Sequence, residues 1–256
     1  MTQKVDRREF ILLSMAGVAS AAISSKMKLN PRSSHSEGES PHRWGMVIDS
    51  NACIGCGKCT LACRATNDVP EDISWNRVVE VEQQGEETVY ATIPCMQCEH
   101  APCVGVCPVG ATYQRPDGIV MMDYDRCIGC RYCQMACPYG ARSFNWREFT
   151  EDNPAVPEFG TPEVERRPRG VVEKCSFCYQ RIDRGLEMGL TPGVDREATP
   201  ACVNACPVGA RIFGDLNDPD SEINQVLNEN ASIRLFEDKG TGPRVYYLPW
   251  HQEEES

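Results

Sequence analysis

The sequence predicts an α+β fold made of two tandem or interleaved modules, with small antiparallel sheets and long loop insertions. Three observations carry this. All 16 cysteines of the 256-residue chain fall into four groups of four. Short β-prone runs flank the groups and pair off as hairpins. A unit reading Cys-Pro-x-Gly-Ala recurs at 107–111, 137–141 and 206–210, each time leading into a β-prone run: Thr112-Tyr113, Arg142-Ser143-Phe144 and Arg211-Ile212-Phe213.

The third group, Cys127, Cys130, Cys133 and Cys137 followed by Pro138, is spaced C-x2-C-x2-C-x3-C-P. Bacterial ferredoxins use this run. Three thiolates hold one 4Fe–4S cluster and the fourth reaches across to a second. Three cysteines two residues apart on a tight loop can converge on three iron corners of one cube, while the fourth, a helical turn further on, points away. Gly129 permits close backbone approach, and Pro138 redirects the chain. Cys53, Cys56, Cys59 and Cys63 repeat the spacing, with Arg64 in place of the proline. Cys95, Cys98, Cys103 and Cys107 widen the middle gap, and Cys175, Cys178, Cys202 and Cys206 carry a long insert there. A disulfide framework is the competing explanation for so many cysteines, but such scaffolds are usually short chains without regular ferredoxin runs. Four groups therefore make two bacterial-ferredoxin-like modules.

In chain order, 44–49 reads as a strand entering the first cysteine loop and 59–66 as a short helix. Residues 78–81 and 88–93 alternate around Gln84-Gly85-Glu86, a hairpin signal. Residues 111–114 and 119–122 flank Arg115-Pro116-Asp117-Gly118, which has turn chemistry. Residues 150–170, proline-bearing and of mixed charge, read as a surface loop, as does 184–200 inside the fourth group. Residues 221–227 read as a helix. Residues 233–236 and 244–248 are expected to form a hairpin across 239–242.

The formal net charge is −11. Six of the 26 basic and four of the 37 acidic residues fall in 1–41, so the remainder carries −13. Nothing in this charge distribution offers a nucleic-acid footprint. Residues 1–41 read as an export signal with a disordered, Ser-rich linker: Arg7-Arg8 ahead of Phe10 and an apolar stretch to Ile23 resembles a twin-arginine signal. That route carries folded proteins with cofactors in place, as an exported cluster protein requires. No later run is long and apolar enough to span a membrane. No C-x-x-C-H haem site, G-x-G-x-x-G or H-E-x-x-H is present, and every cysteine is already assigned, which argues against a separate catalytic pocket. His100 reads as a structural hydrogen-bonding group or a cluster-tuning one. Trp75, Trp146 and Tyr132 read as core or interface residues.

From Trp44 to about Trp250 the sequence resembles the four-cluster iron–sulfur subunits of the dimethyl sulfoxide reductase and polysulfide reductase type. The likeness rests on the order of the four groups, on Cys98-Glu-His-Ala-Pro-Cys103, on the Cys-Pro-x-Gly-Ala repeats and on Glu173-Lys-Cys-Ser-Phe-Cys178. Within that family it is most similar to the twin-arginine-exported subunit of the sulfite-reduction-associated membrane complex. The resemblance implies crosswise pairing of the groups. Cys53, Cys56 and Cys59 would share a cluster with Cys206; Cys175, Cys178 and Cys202 with Cys63; Cys95, Cys98 and Cys103 with Cys137; Cys127, Cys130 and Cys133 with Cys107. Residues 44–90 plus 170–250 would then form one module and 91–150 the other. The expected cofactors are four 4Fe–4S clusters. The expected role is electron transfer between an integral membrane quinone-interacting subunit and a further redox subunit, molybdopterin-bearing or haem/iron–sulfur. Attachment to the membrane would be peripheral, on its periplasmic side. A free periplasmic polyferredoxin is the alternative.

Overall fold

Strand β1 (Trp44–Asp49) is apolar on both faces, and everything around it follows from that. The computed structural model describes residues 39–84 and 87–249. The twin-arginine stretch expected within 1–41 therefore lies outside the described residues. Because side chains alternate along a strand, Trp44, Met46 and Ile48 enter the main core with Phe213, Val245 and Tyr247. Val47 on the other face meets Ile223 and Leu248. Strand β1 pairs antiparallel with β8 (Arg211–Asp215), from Trp44 opposite Asp215 to Ile48 opposite Arg211. On its other edge it pairs parallel with β9 (Val245–Leu248). Helix α6 (Glu222–Glu229) packs on this sheet through the buried Ile223.

Three two-stranded antiparallel ladders complete the strands. They are β2 (Arg77–Gln84) with β3 (Glu87–Ile93), β4 (Thr112–Gln114) with β5 (Val120–Met122), and β6 (Ser143–Phe144) with β7 (Val172–Glu173). The β4–β5 turn is the one its sequence asks for. Gly118 adopts a positive φ of 83° and donates its N–H to the Arg115 carbonyl at 2.9 Å, and Asp117 accepts from the Ile119 N–H at 3.1 Å. Five further helices are short: α1 (Lys58–Thr66), α2 (Pro102–Gly105), α3 (Tyr132–Met135), α4 (Tyr179–Glu187) and α5 (Ala201–Asn204). Helix α1 packs on α5, and α2 on α3.

The hairpin expected from 233–236 and 244–248 does not form. A single antiparallel bridge joins Ile233 to Tyr247, Phe236 turns the chain at φ 50°, and a short 3-10 turn spans Glu237–Lys239. Ile233 and Phe236 stay exposed, whereas Val245, Tyr247 and Leu248 are buried along β1. The apolar edge of β1 outcompetes the local partner because it buries more apolar surface. Residues 150–170 form no regular element, but they reach inward at two points. Arg166 meets Asp68 at 2.8 Å, and the buried Arg167 meets the buried Glu173 at 2.8 Å while stacking over the Trp75 ring.

Candidate metal centres

All sixteen cysteines are free, so disulfides do not explain their number. Nor are they decoration on a finished fold. Cys59, Cys63, Cys95, Cys98, Cys175 and Cys202 belong to the main core.

The four loops share one local geometry. The residue before the second cysteine is left-handed in every group: Gly55 (φ 67°), Gln97 (46°), Gly129 (68°) and Phe177 (56°). The third cysteine, whether Cys59, Cys103, Cys133 or Cys202, is the second residue of a short helix in every group. A left-handed residue leading into helical ones turns successive N–H groups to one side, making a concavity that receives anionic atoms. Glycine is required at two of these positions. A Cβ would come within 2.2 Å of the Gly170 carbonyl oxygen at Gly129, and within 2.7 Å of the Tyr90 ring at Gly55. Gln97 and Phe177 hold the same backbone with side chains anchored by burial. Gln97 donates to the Cys175 carbonyl and accepts from the Val120 N–H, both at 2.8 Å, and so ties the second loop to the fourth. Phe177 packs edge-on against Phe213.

Thiols from distant parts of the chain meet. Burial, with Cys175, Cys178 and Cys202 beside it, pushes the Cys63 thiol well above its ordinary 9.0. Cys53 is raised by burial, with Cys59 and Cys206 as its thiol neighbours. Cys98 is pushed up to about 12 by burial and by Cys95, Cys103 and Cys137. Cys133 is raised by burial, with Cys103 and Cys127 in reach. Cys107 behaves differently. Burial opposes its ionisation, yet the backbone N–H groups of Thr112, Val109 and Ala111 outweigh burial and lower its pKa, with the Ala111 N–H 3.2 Å from sulfur. Raised thiol pKa values describe a cluster of buried sulfurs that would ionise together only against a strong positive centre.

Among the described residues no three Cys, His, Asp or Glu side chains converge closely enough for a single metal ion. The thiols instead stand around shared space. Cys53, Cys56, Cys59 and Cys206 line one cavity. An all-thiol donor set selects zinc or iron–sulfur chemistry, and the C-x2-C-x2-C-x3-C spacing of the first and third groups is the iron–sulfur one. Buried donors near the thiols are also left without hydrogen-bond partners, namely Arg142 Nη2 and Arg211 Nε. A net-anionic 4Fe–4S cluster fits these observations.

The groups neighbour one another in the order first, fourth, second, third. Cys59 is in electrostatic reach of Cys202, Cys175 of Cys95, and Cys103 of Cys133. Of the sixteen cysteines only Cys56 and Cys130, in the first and third groups, are exposed. Exposed apolar residues lie near both in the chain: Ile54 (58% exposed) two residues before Cys56, and Ile128, Tyr132 and Met135 (85%) within five residues of Cys130. Trp146 is exposed as well and stacks under Arg131, whereas Trp75 is core and donates to Glu173 at 3.0 Å. His100 is exposed. Sequence reasoning missed Gln97, Phe177 and Asn67. The Asn67 amide lies 3.5 Å from the Cys178 sulfur and 3.7 Å from that of Cys63, and no motif marks it. Arg142 and Arg211 did carry a signal, since both directly follow a Cys-Pro-x-Gly-Ala unit.

Two 4Fe–4S dicluster domain models match residues 86–152 and 126–210, and a 4Fe–4S binding domain model matches 44–65. A protein of Halobacterium salinarum, provisionally named as a dimethyl sulfoxide reductase iron-sulfur subunit, is 46% identical over 80% of this chain and 78% of its own length. The Hdr-like menaquinol oxidoreductase iron-sulfur subunit 1 of Archaeoglobus fulgidus is 38% identical over 95% of this chain and 97% of its own. One of the polysulfide reductase chains of Wolinella succinogenes is 37% identical over 81% and 94%. With thiols, loops and relatives in agreement, this protein belongs to the 4Fe–4S iron–sulfur subunits of the dimethyl sulfoxide reductase and polysulfide reductase type.

Proposed function

We propose that the chain carries four 4Fe–4S clusters and relays electrons between an integral membrane quinone-reacting subunit and a further redox subunit of a respiratory or sulfur-metabolism complex. The ligand sets are the crosswise ones. Cys53, Cys56 and Cys59 act with Cys206; Cys175, Cys178 and Cys202 with Cys63; Cys95, Cys98 and Cys103 with Cys137; and Cys127, Cys130 and Cys133 with Cys107. Residues 44–90 and 170–250 make one module around 91–150. When bound, each cluster supplies one-electron redox chemistry whose potential depends on charge, hydrogen bonds to sulfur and exposure. The chain supplies the thiolates, the backbone N–H groups of the left-handed loops and the buried cations.

The observation that carries this reading is the succession of neighbouring thiol groups with exposed, apolar-flanked cysteines at its two ends, Cys56 and Cys130, and buried groups between. A conductor with two accessible ends suits two partners. Two of the relatives are named for menaquinol oxidoreductase and polysulfide reductase complexes, which supports this reading. Here a molybdopterin or a haem/iron–sulfur subunit would face one end and the membrane subunit the other. Arg7 and Arg8 support periplasmic delivery by the twin-arginine route. Anaerobic purification with iron and acid-labile sulfide analysis is the test. About sixteen irons and as many sulfides per chain are expected from four complete groups. A colourless, zinc-loaded protein would refute the reading.

A further inference from the structure

Arg142 and Arg211 are related by the internal repeat, each being the residue after Cys-Pro-x-Gly-Ala. Both are buried, at 3% and 4% exposure. Their surroundings match in kind. Arg211 Nη1 donates to the Thr92 hydroxyl and to Asn76 Oδ1, and its Nη2 lies 3.1 Å from the Met46 sulfur. Arg142 Nη1 donates to the Thr112 hydroxyl at 3.2 Å and lies 3.0 Å from the Met122 sulfur. Neither guanidinium has a carboxylate partner among the described ion pairs, and each keeps one buried nitrogen unpartnered. A buried arginine without a carboxylate is costly, so an anion is owed to each. The anions in reach are thiols. Arg211 lines one cavity with Cys53, Cys59 and Cys206, and Arg142 touches Met122, which packs in one cluster with Cys103 and Cys133. Electrostatics agree: Cys202, Cys59 and Cys175 act on Arg211, and Cys103, Cys133 and Cys95 on Arg142, against the effect of burial. Each set spans two cysteine groups, the first and fourth for Arg211 and the second and third for Arg142. The remaining repeat has Thr112 where the others have arginine, and Thr112 is the hydroxyl that anchors Arg142. Lys174 is also buried near this region, but its ammonium is occupied by the Val120 and Cys175 carbonyls.

We infer that Arg142 and Arg211 are the shared counter-cations of the two cluster pairs, one arginine per module, and that each raises the reduction potential of both clusters of its pair. This rests on the crosswise ligand sets proposed above. The physics is charge balance. A cluster that accepts one electron gains one negative charge, and a fixed guanidinium in a low-dielectric interior stabilises the reduced form more than the oxidised one. The threonine and methionine anchors fix the position of that charge, so it need not reorganise during reduction.

The test is a potentiometric titration of the anaerobically purified protein, followed by electron paramagnetic resonance, with dithionite as reductant. Four single variants are compared, Arg211→Met, Arg211→Lys, Arg142→Met and Arg142→Lys, with iron and sulfide counted in each. Arg211→Met should shift two of the four midpoints downward by at least tenfold in the reduction equilibrium constant, which is about 59 mV for a one-electron couple. Arg142→Met should shift the other two, and both lysine variants should stay near wild type. Loss of iron in a methionine variant but not in its lysine counterpart also supports the counter-cation role, because charge is then what the site needs. Two results overturn it: an iron-replete methionine variant with unmoved midpoints, or equal loss of iron in the methionine and lysine variants, which would make the arginine a shape-filling residue. A wild-type iron count far from sixteen would instead refute the four-cluster reading itself.

Discussion

Cys63 follows Cys59 within the same helix, yet its thiol neighbours are Cys175, Cys178 and Cys202. Four residues apart, the two side chains share one helix face, and the rise of one turn brings Cys63 towards the fourth group. Cys63→Ser is expected to abolish or perturb the same paramagnetic signal as Cys178→Ser and to spare the one lost in Cys56→Ser. Redox-titrated electron paramagnetic resonance of the three variants checks this, and a match between Cys63→Ser and Cys56→Ser would mean that each group binds its own cluster. Because metal binding and folding are coupled, some local order should go with the signal. At this scale the thiol positions were legible in the sequence, since their spacing is set by local geometry. Gln97, Phe177 and Asn67 were not, because what makes them matter is a partner some 23 to 111 positions away. Phe177 even looks wrong locally, as a bulky residue in a left-handed conformation, and only its packing on Phe213 accounts for it.

At the scale of elements, the legible parts are those whose instructions are local. The β4–β5 turn follows from Pro116-Asp117-Gly118, and the β2–β3 hairpin from alternation around its turn. The position of strand β9 is legible, but its partner is not, because β1 lies some two hundred residues upstream and pairs with it in parallel, which no turn chemistry can announce. The 150–170 segment is tied down by ion pairs at a distance, and one tie carries a pH dependence. Burial works against the Asp68 carboxylate, but the hydrogen bonds from Arg166 and Asn153 prevail and hold its pKa below the ordinary 3.8. The tie therefore contributes fully above the unfolded value and is lost as pH falls through the depressed one. Acid would also attack bound clusters, so Asp68→Asn at neutral pH is the cleaner experiment. It should cost roughly 1 kcal/mol, as expected for a partly exposed pair, and should speed hydrogen exchange or proteolysis across 149–170 while leaving the iron content intact. Unchanged protection of that segment would mean Arg166 finds equivalent partners elsewhere.

At the scale of the whole molecule the question is what the two exposed ends meet. The chain is acidic, with a net charge of −11, and acidic surfaces are repelled by anionic lipid headgroups. No helix among the described residues is long and apolar enough to cross a membrane. Under the proposed function, attachment to a membrane comes from a protein partner, with the stretch near Arg7 and Arg8 as a second source to be tested. These two sources can be separated. Replacing Arg7 and Arg8 by lysine keeps the charge and should leave the protein in the cytoplasm with its clusters in place; continued arrival in the periplasm would remove the twin-arginine assignment. For the exported protein, mild detergent extraction should release it together with a many-span membrane subunit. Washing with high salt, which screens surface charge, should not strip it if the exposed apolar residues near Cys56 or Cys130 form the contact. Recovery of the chain alone, in the soluble periplasmic fraction and fully loaded with iron, would favour the free polyferredoxin instead. In that case the same apolar residues would have to serve transient encounters, and an interface of that kind would bind weakly and exchange partners quickly.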